Sequence, residues 1–74
     1  MPNFQHDDPS DTFHGTIYNG WDIYTGTAPN GETEVILRYG DRPEEYKAQP
    51  MRIALLLTNK DPDYDEAIGL INRR

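Results

Sequence analysis

The sequence contains no cysteine, so it can form neither a disulfide nor a thiolate metal site. Its only serine, Ser10, lies in a polar N-terminal stretch, which leaves little for nucleophilic catalysis. It has no glycine-rich phosphate loop and no apolar run long enough to span a bilayer. The N-terminus also lacks a basic segment followed by an apolar run, so we expect no signal peptide. These absences predict a cytoplasmic protein without catalytic activity, cofactor or metal.

Basic residues are also few. Seven Lys and Arg stand against 13 Asp and Glu among 74 residues, which gives a net charge of −6. An acidic surface repels nucleic-acid backbones and anionic membranes, and it favours solubility or a basic protein partner. A chain of this size buries only about 60% of the surface that its unfolded form exposes. A homodimer is one way to supplement such a small core.

Residues 21–39 have the pattern of a β-hairpin. Pro29, Asn30 and Gly31 suit successive positions of a type I turn that is closed by a bulge. A loop of this kind aligns residues whose numbers sum to 60. The register predicts these pairs: Trp21 with Tyr39, Ile23 with Leu37, Thr25 with Val35, Thr27 with Thr33, Tyr24 with Ile36, and Asp22 with Arg38.

The dipeptide Asn19-Gly20 allows two interpretations of the residues before the hairpin. One strand can run over residues 16–27 with Gly20 at a bulge. Alternatively, a two-residue turn at Asn19-Gly20 makes residues 13–18 a separate strand. We favour the bulge, because an isolated glycine within a strand pattern often marks one.

The C-terminal half has helix signals of different strength. Pro43 suits the first turn of a short helix that Pro50 would end. The apolar run 51–57 is short enough for a buried strand, but its Met, Arg, Ala and Leu residues favour a helix. Asp61 is expected to cap a last helix in which Pro62 takes the first position. Much of the core is expected to come from Leu55, Leu56 and Ile68.

These elements predict an α+β fold. It consists of a small antiparallel β-hairpin or three-stranded sheet packed against one or two C-terminal helices, which cover the Trp21 and Leu37 face. Residues 1–12 are polar, acidic and interrupted by prolines, so we interpret them as a disordered tail. Residues 13–74 then form one small domain.

Two further patterns resemble metal-binding motifs only superficially. His6 and His14 match no metal-binding spacing. The acidic run that begins at Asp61 has Glu66 at its sixth position and Asn72 at its twelfth, where a calcium loop needs glycine and glutamate. We interpret this run as the start of a helix.

The aromatic residues of the hairpin indicate where a partner could bind. Tyr18, Tyr24 and Ile36 are predicted on the face opposite the core, with Asp22 and Arg38 as a charged pair on the same face. Base stacking on these rings would need a basic groove, and Arg38 is the hairpin's only basic residue. We therefore predict that these five residues bind a protein partner and no nucleic acid.

The leading prediction is a small non-catalytic protein-binding or regulatory module that uses this aromatic face. One alternative is an acidic inhibitor that imitates a nucleic-acid backbone. The other is an accessory subunit of a larger enzyme. The carboxylates available to the inhibitor are Asp41, Glu44, Glu45, Asp61, Asp63, Asp65 and Glu66.

Overall fold

The computed structural model describes residues 11–42 and 44–73 of the chain. They form a four-stranded antiparallel sheet of order β1-β2-β3-β4, followed by two helices. The predicted α+β class is confirmed, and the sheet has four strands. The elements are β1 (Thr12–Thr16), β2 (Asp22–Thr27), β3 (Thr33–Arg38), β4 (Tyr46–Pro50), α1 (Met51–Leu57) and α2 (Pro62–Asn72).

The predicted N-terminal tail lies mostly outside the described residues. The structure describes its last two positions, Asp11 and Thr12. Thr12 is the first residue of β1 and pairs with Thr25 of β2. The sheet therefore includes the last residue of the segment that we assigned to the tail.

The β2–β3 hairpin has the predicted register. All five predicted pairs that fall within the strands are present, and the rings of Trp21 and Tyr39 stack beyond the strand ends with their centroids 4.1 Å apart. The Gly31 N–H donates to the Ala28 carbonyl at 2.8 Å, and the Ala28 N–H donates to the Glu32 carbonyl at 2.8 Å. Gly31 has a φ of 89°, as the bulge that closes this loop requires.

A turn separates β1 from β2, so the favoured interpretation of one continuous strand is wrong. The Gly20 N–H donates to the Ile17 carbonyl at 2.9 Å, and the Ile17 N–H donates to the Trp21 carbonyl at 3.0 Å. The loop therefore has three residues, not two, and it pairs Thr16 with Asp22. Gly20 has a φ of 90°, a conformation that reverses the chain here and that only glycine adopts freely.

The bulge of the sheet lies in β1. Phe13 pairs with Tyr24, and Gly15 pairs with the preceding residue of β2, so His14 is the extra residue. Gly15 has a φ of 133°, and a Cβ atom on it would lie 3.4 Å from the Leu70 side chain. Glycine at this position therefore permits the strained backbone and lets the end of α2 approach β1.

β4 occupies the segment where a short helix was predicted, so that prediction is wrong. Glu44 and Glu45 lie in a turn, and Pro43 is outside the described residues. The next five residues, 46–50, pair with β3. Without this partner, β3 would leave backbone hydrogen-bonding groups unpaired along its second edge. The cost of those unpaired groups outweighs the local preference for a helical turn.

Both C-terminal helices are present. The structure confirms the helical interpretation of the apolar run 51–57, and Pro50 is the N-cap of this helix. α2 begins as predicted: Pro62 is its first residue, and the Asp61 side chain accepts a hydrogen bond from the Asp63 N–H at 3.0 Å.

The core lies between one face of the sheet and the two helices. Ile68 is buried as expected, but Leu55 and Leu56 are 50% and 69% exposed, so their assignment to the core is wrong. Only one side of the seven-residue α1 contacts the core, through Met51, Ala54 and Leu57. Leu55 and Leu56 lie ~100° and ~200° around the helix from Ala54. The buried core residues are Ile17, Ile23, Val35, Leu37, Ala54, Tyr64, Ala67 and Ile68.

Candidate functional site

The face of the sheet that points away from the helices carries the candidate site. Ile23 and Leu37 belong to the core that the helices cover. Side chains alternate between the two faces of a strand, so Tyr24 and Ile36 point the other way. We call this side the outer face and define it by five side chains: Phe13, Tyr24, Ile36, Arg38 and Tyr46.

Tyr24 lies at the centre of a cluster on the outer face. Its ring lies 5.2 Å from the ring of Phe13, centroid to centroid, at an interplanar angle of 51°. The Arg38 guanidinium lies 4.8 Å from the Tyr24 centroid and donates a hydrogen bond to the Tyr24 hydroxyl at 3.2 Å. Cation–π contacts and tilted ring pairs each hold side chains in one orientation, so this cluster is preorganised.

Exposure differs among the residues of the outer face. Phe13 is 55% exposed and Tyr46 is 37% exposed, whereas Ile36 is only 1% exposed. Tyr24 and Arg38 are intermediate. Ile36 therefore forms the floor beneath the cluster, and the rings of Phe13 and Tyr46 provide the accessible aromatic area.

The predicted charged pair lies beside the cluster. Asp22 pairs with Arg38 across β2 and β3, and Tyr46 continues the same row on β4. The Asp22 carboxylate accepts a hydrogen bond from the Thr16 hydroxyl at 2.8 Å. The row thus places a carboxylate, a guanidinium and a phenol side by side along one border of the outer face.

Tyr18 does not lie with the other predicted residues. It is in the β1–β2 turn, is 93% exposed, and lines an open groove of about 390 Å³ that runs along α2. Gly69 and Arg73 line the opposite side of this groove. The structure therefore brings together four of the five predicted residues and places the fifth on the helix side.

Phe13 and Tyr46 belong to the outer face but were missed in the sequence. A signal for Phe13 exists, because Asn19-Gly20 repeats the Asn30-Gly31 ending of the second loop. A loop of the same type that ends at Asn19-Gly20 makes the residues around Phe13 a separate strand, which pairs with β2 next to Tyr24. For Tyr46 no local signal exists, because β4 owes its conformation to pairing with β3.

A second group of polar contacts lies on the helix side and connects the sheet to α2. Asp63 accepts hydrogen bonds from the Trp21 indole N–H at 3.0 Å and from the Asn19 amide at 2.6 Å. The Lys47 ammonium lies 3.0 Å from an Asp61 oxygen and 3.5 Å from an Asp63 oxygen. Two of the carboxylates proposed for backbone imitation are therefore engaged within the fold.

The same ammonium lies near two aromatic rings, 5.6 Å from the centroid of Trp21 and 5.2 Å from that of Tyr64. Its hydrogen bond to Asp61 is the main reason why the pKa of that carboxyl is lowered. Burial, followed by the charges of Asp61 and Asp63, raises the pKa of Tyr64 to about 12. The Tyr64 hydroxyl is buried and has no hydrogen-bond partner among the described residues. These contacts tie the sheet to the start of α2.

Within residues 11–42 and 44–73, no three His, Asp or Glu side chains are grouped so that they could hold a metal ion. His14 instead contacts the Thr25 hydroxyl at 2.8 Å, and His6 lies outside the described residues. Neither helix in these ranges has the length and apolarity needed to cross a membrane.

We compared the chain with known protein families, characterised proteins and solved structures, and it matches none of them.

Proposed function

We propose that this chain is a cytoplasmic, non-catalytic protein-binding module whose outer face contacts the partner. The observation that carries the proposal is the cluster of Phe13, Tyr24 and Arg38 on a sheet face that neither helix of the described residues covers. Aromatic residues and arginine are the residue types enriched in the centres of protein–protein interfaces.

The geometry of the cluster supports this use. The Tyr24 ring is held between Phe13 and Arg38, so little side-chain entropy is lost when a partner binds. Phe13 keeps about half of its surface accessible, which leaves apolar area to bury. Ile36 supports the cluster from beneath and is not itself a contact residue.

Charge is expected to contribute to orientation more than to affinity. Asp22 and Arg38 carry opposite charges within one row, and Glu34 adds a carboxylate on the same side of β3, so the outer face carries charges of both signs. Charges at the border of an interface mainly change the association rate, whereas buried aromatic anchors dominate the binding energy. Binding at this face should therefore depend only weakly on salt concentration.

The test uses the full chain as an affinity reagent on extracts of its source cells. The recovered partner is then titrated against the Tyr24→Ala and Phe13→Ala variants. We expect each substitution to weaken binding by about tenfold or more. Tyr18→Ala is the matched control, because it removes an aromatic ring from the helix side of the molecule. A Tyr24→Ala variant that binds with unchanged affinity would refute the proposal.

The acidic-inhibitor alternative predicts the opposite result. A variant with Gln or Asn at the exposed positions Glu44, Glu45, Asp65 and Glu66 would lose binding, and the affinity of the parent chain would fall steeply with salt. On the outer-face proposal this variant binds normally. Partner affinities measured at low and high salt for both sets of variants therefore distinguish the outer-face module from the acidic inhibitor.

A further inference from the structure

The two Asn-Gly dipeptides of this chain end the β1–β2 loop and the β2–β3 loop in the same way. Gly20 and Gly31 have φ angles of 90° and 89°, and the N–H of each closes a three-residue loop. Both dipeptides are exposed to solvent. Asparagine followed by glycine is a chemically reactive pair, because a glycine without a Cβ atom leaves its backbone nitrogen open to the side-chain amide before it.

The side chains of these two asparagines have different partners. The Asn30 amide donates to a Glu32 carboxylate oxygen within its own loop at 3.1 Å. The Asn19 amide donates to Asp63 of α2 at 2.6 Å, across 44 residues of the chain. A carboxylate such as that of Asp63 needs a hydrogen-bond donor at this position. The chemical state of Asn19 therefore affects how the sheet holds α2.

We propose that Asn19 is a deamidation site and that its conversion to aspartate or isoaspartate releases the β1–β2 turn from α2. The backbone nitrogen of Gly20 attacks the side-chain carbonyl carbon (Cγ) of Asn19 and forms a new C–N bond. The Cγ–Nδ2 bond breaks, and this nitrogen leaves as ammonia with the proton from the Gly20 N–H. Water then opens the succinimide ring. Hydrolysis at Cγ gives aspartate, and hydrolysis at the backbone carbonyl carbon gives isoaspartate.

Both products oppose the contact with α2. Aspartate replaces the amide donor with a second carboxylate next to that of Asp63, and like charges at hydrogen-bond distance repel each other. Isoaspartate also lengthens the backbone by a methylene group, so the three-residue loop no longer closes in register. Because ammonia is lost, the change does not reverse. The modification therefore leaves Trp21 and Lys47 to hold this end of α2 without the turn.

The folded chain restrains the reaction at two points. The Gly20 N–H donates to the Ile17 carbonyl at 2.9 Å, and this hydrogen bond must break before the nitrogen can attack. The Asn19 amide must also leave Asp63 to bring its carbonyl carbon to that nitrogen. Asn19 and Gly20 are exposed, so a local opening of the turn is enough, without global unfolding. The rate of deamidation thus depends on how often the turn separates from α2.

The first experiment follows the full chain during incubation at neutral and mildly alkaline pH. Tandem mass spectrometry assigns the mass gain of the amide-to-acid conversion to Asn19 or to Asn30. We expect conversion at Asn19, and we expect it to be faster at alkaline pH because the attacking nitrogen must lose its proton. No conversion at Asn19 in the folded chain, under conditions of pH and time that convert it in urea, overturns the proposal.

The same measurement on Asp63→Ala tests the restraint. Conversion at Asn19 should be about tenfold faster in this variant, because the amide has lost its charged acceptor. The rate at Asn30 is the internal reference, since it corrects for any general loss of stability. An Asn19 rate that does not rise relative to the Asn30 rate overturns the proposal.

The second experiment measures the effect of the product on the fold. Asn19→Asp should lower the urea midpoint of unfolding, and Asn30→Asp, the matched control at the equivalent loop position, should shift it less. Asp63→Asn supplies an amide donor opposite the new carboxylate, so Asn19→Asp should lower the midpoint less in this background than in the parent chain. Equal shifts for Asn19→Asp and Asn30→Asp overturn the proposal. This test is independent of the outer face, whose variants change Tyr24 and Phe13.

Discussion

The indole N–H of Trp21 donates a hydrogen bond to a carboxylate oxygen of Asp63 at 3.0 Å, although 42 residues separate the two in the chain. Trp21 immediately precedes β2, and Asp63 lies in the first turn of α2. This contact joins the start of the hairpin to the start of the last helix. Asn19 and Lys47 reach the same carboxylate from the β1–β2 turn and from β4.

We expect Asp63→Ala to lower the free energy of unfolding by about 1–3 kcal/mol, because it leaves the Trp21 indole N–H without its acceptor. Asp65→Ala is the matched control, since Asp65 is also in the first turn of α2 but is exposed. Urea denaturation followed by Trp21 fluorescence measures both variants. If both substitutions lower the free energy of unfolding equally, the loss comes from the charge near the helix N-terminus and not from the hydrogen bond to Trp21.

Tyr64→Phe should leave stability unchanged or raise it by up to about 1 kcal/mol. The hydroxyl that it removes is buried without a hydrogen-bond partner among the described residues. Tyr18→Phe, which removes an exposed hydroxyl, should have no effect. If Tyr64→Phe lowers the free energy of unfolding by more than about 1 kcal/mol, the Tyr64 hydroxyl has a stabilising partner, which contradicts this prediction.

The raised pKa of Tyr64 also predicts an alkaline loss of stability. The unfolded chain ionises this phenol near pH 10, whereas the folded chain retains the proton until about pH 12. Stability from this group is therefore complete below pH 10 and is lost as the pH rises from 10 to about 12. Thermal melts over this range should show a smaller decline for Tyr64→Phe than for the parent chain.

The lowered pKa of Asp61 predicts a loss of stability in acid. The carboxylate is stabilised by Lys47 in the folded state, so its contribution is present above the usual pKa of 3.8 and disappears as the pH falls through the lower folded value. Asp61→Asn keeps a good N-cap but removes the charge. Melting temperatures between pH 5 and pH 2 should therefore depend less on pH in this variant, and an unchanged slope would contradict the prediction.

Leucines of the core and of α1 should respond very differently to truncation. Leu37→Ala removes a side chain with no exposed surface and should cost about 2–5 kcal/mol. Leu56→Ala shortens a side chain that is 69% exposed and should stay within about 0.5 kcal/mol of the parent chain. Chemical denaturation gives both values. A large cost at Leu56 would contradict the exposed position of this side chain on α1.

Local sequence determined the parts of the fold that depend on neighbouring residues. Pro29, Asn30 and Gly31 specify the loop of the second hairpin, and the loop specifies the register through β2 and β3. Asp61 and Pro62 likewise specify the start of α2, because a cap and its first turn involve only adjacent residues. Of the candidate site, the sequence therefore identified Tyr24 and Arg38 as neighbours on one face.

Tertiary contacts decided the rest. β4 is a strand because β3 needs a second partner for its backbone groups, and this brings Tyr46 onto the outer face. The way in which α1 lies on the core decided that Ala54 is buried while Leu55 and Leu56 face solvent. A run of apolar residues shows that burial is favourable but does not show how many sides of a short helix the rest of the chain can cover. The sequence by itself determined the turns, caps and pairing of this protein, whereas only the packing of helices on the sheet decided which apolar side chains remain available to a partner.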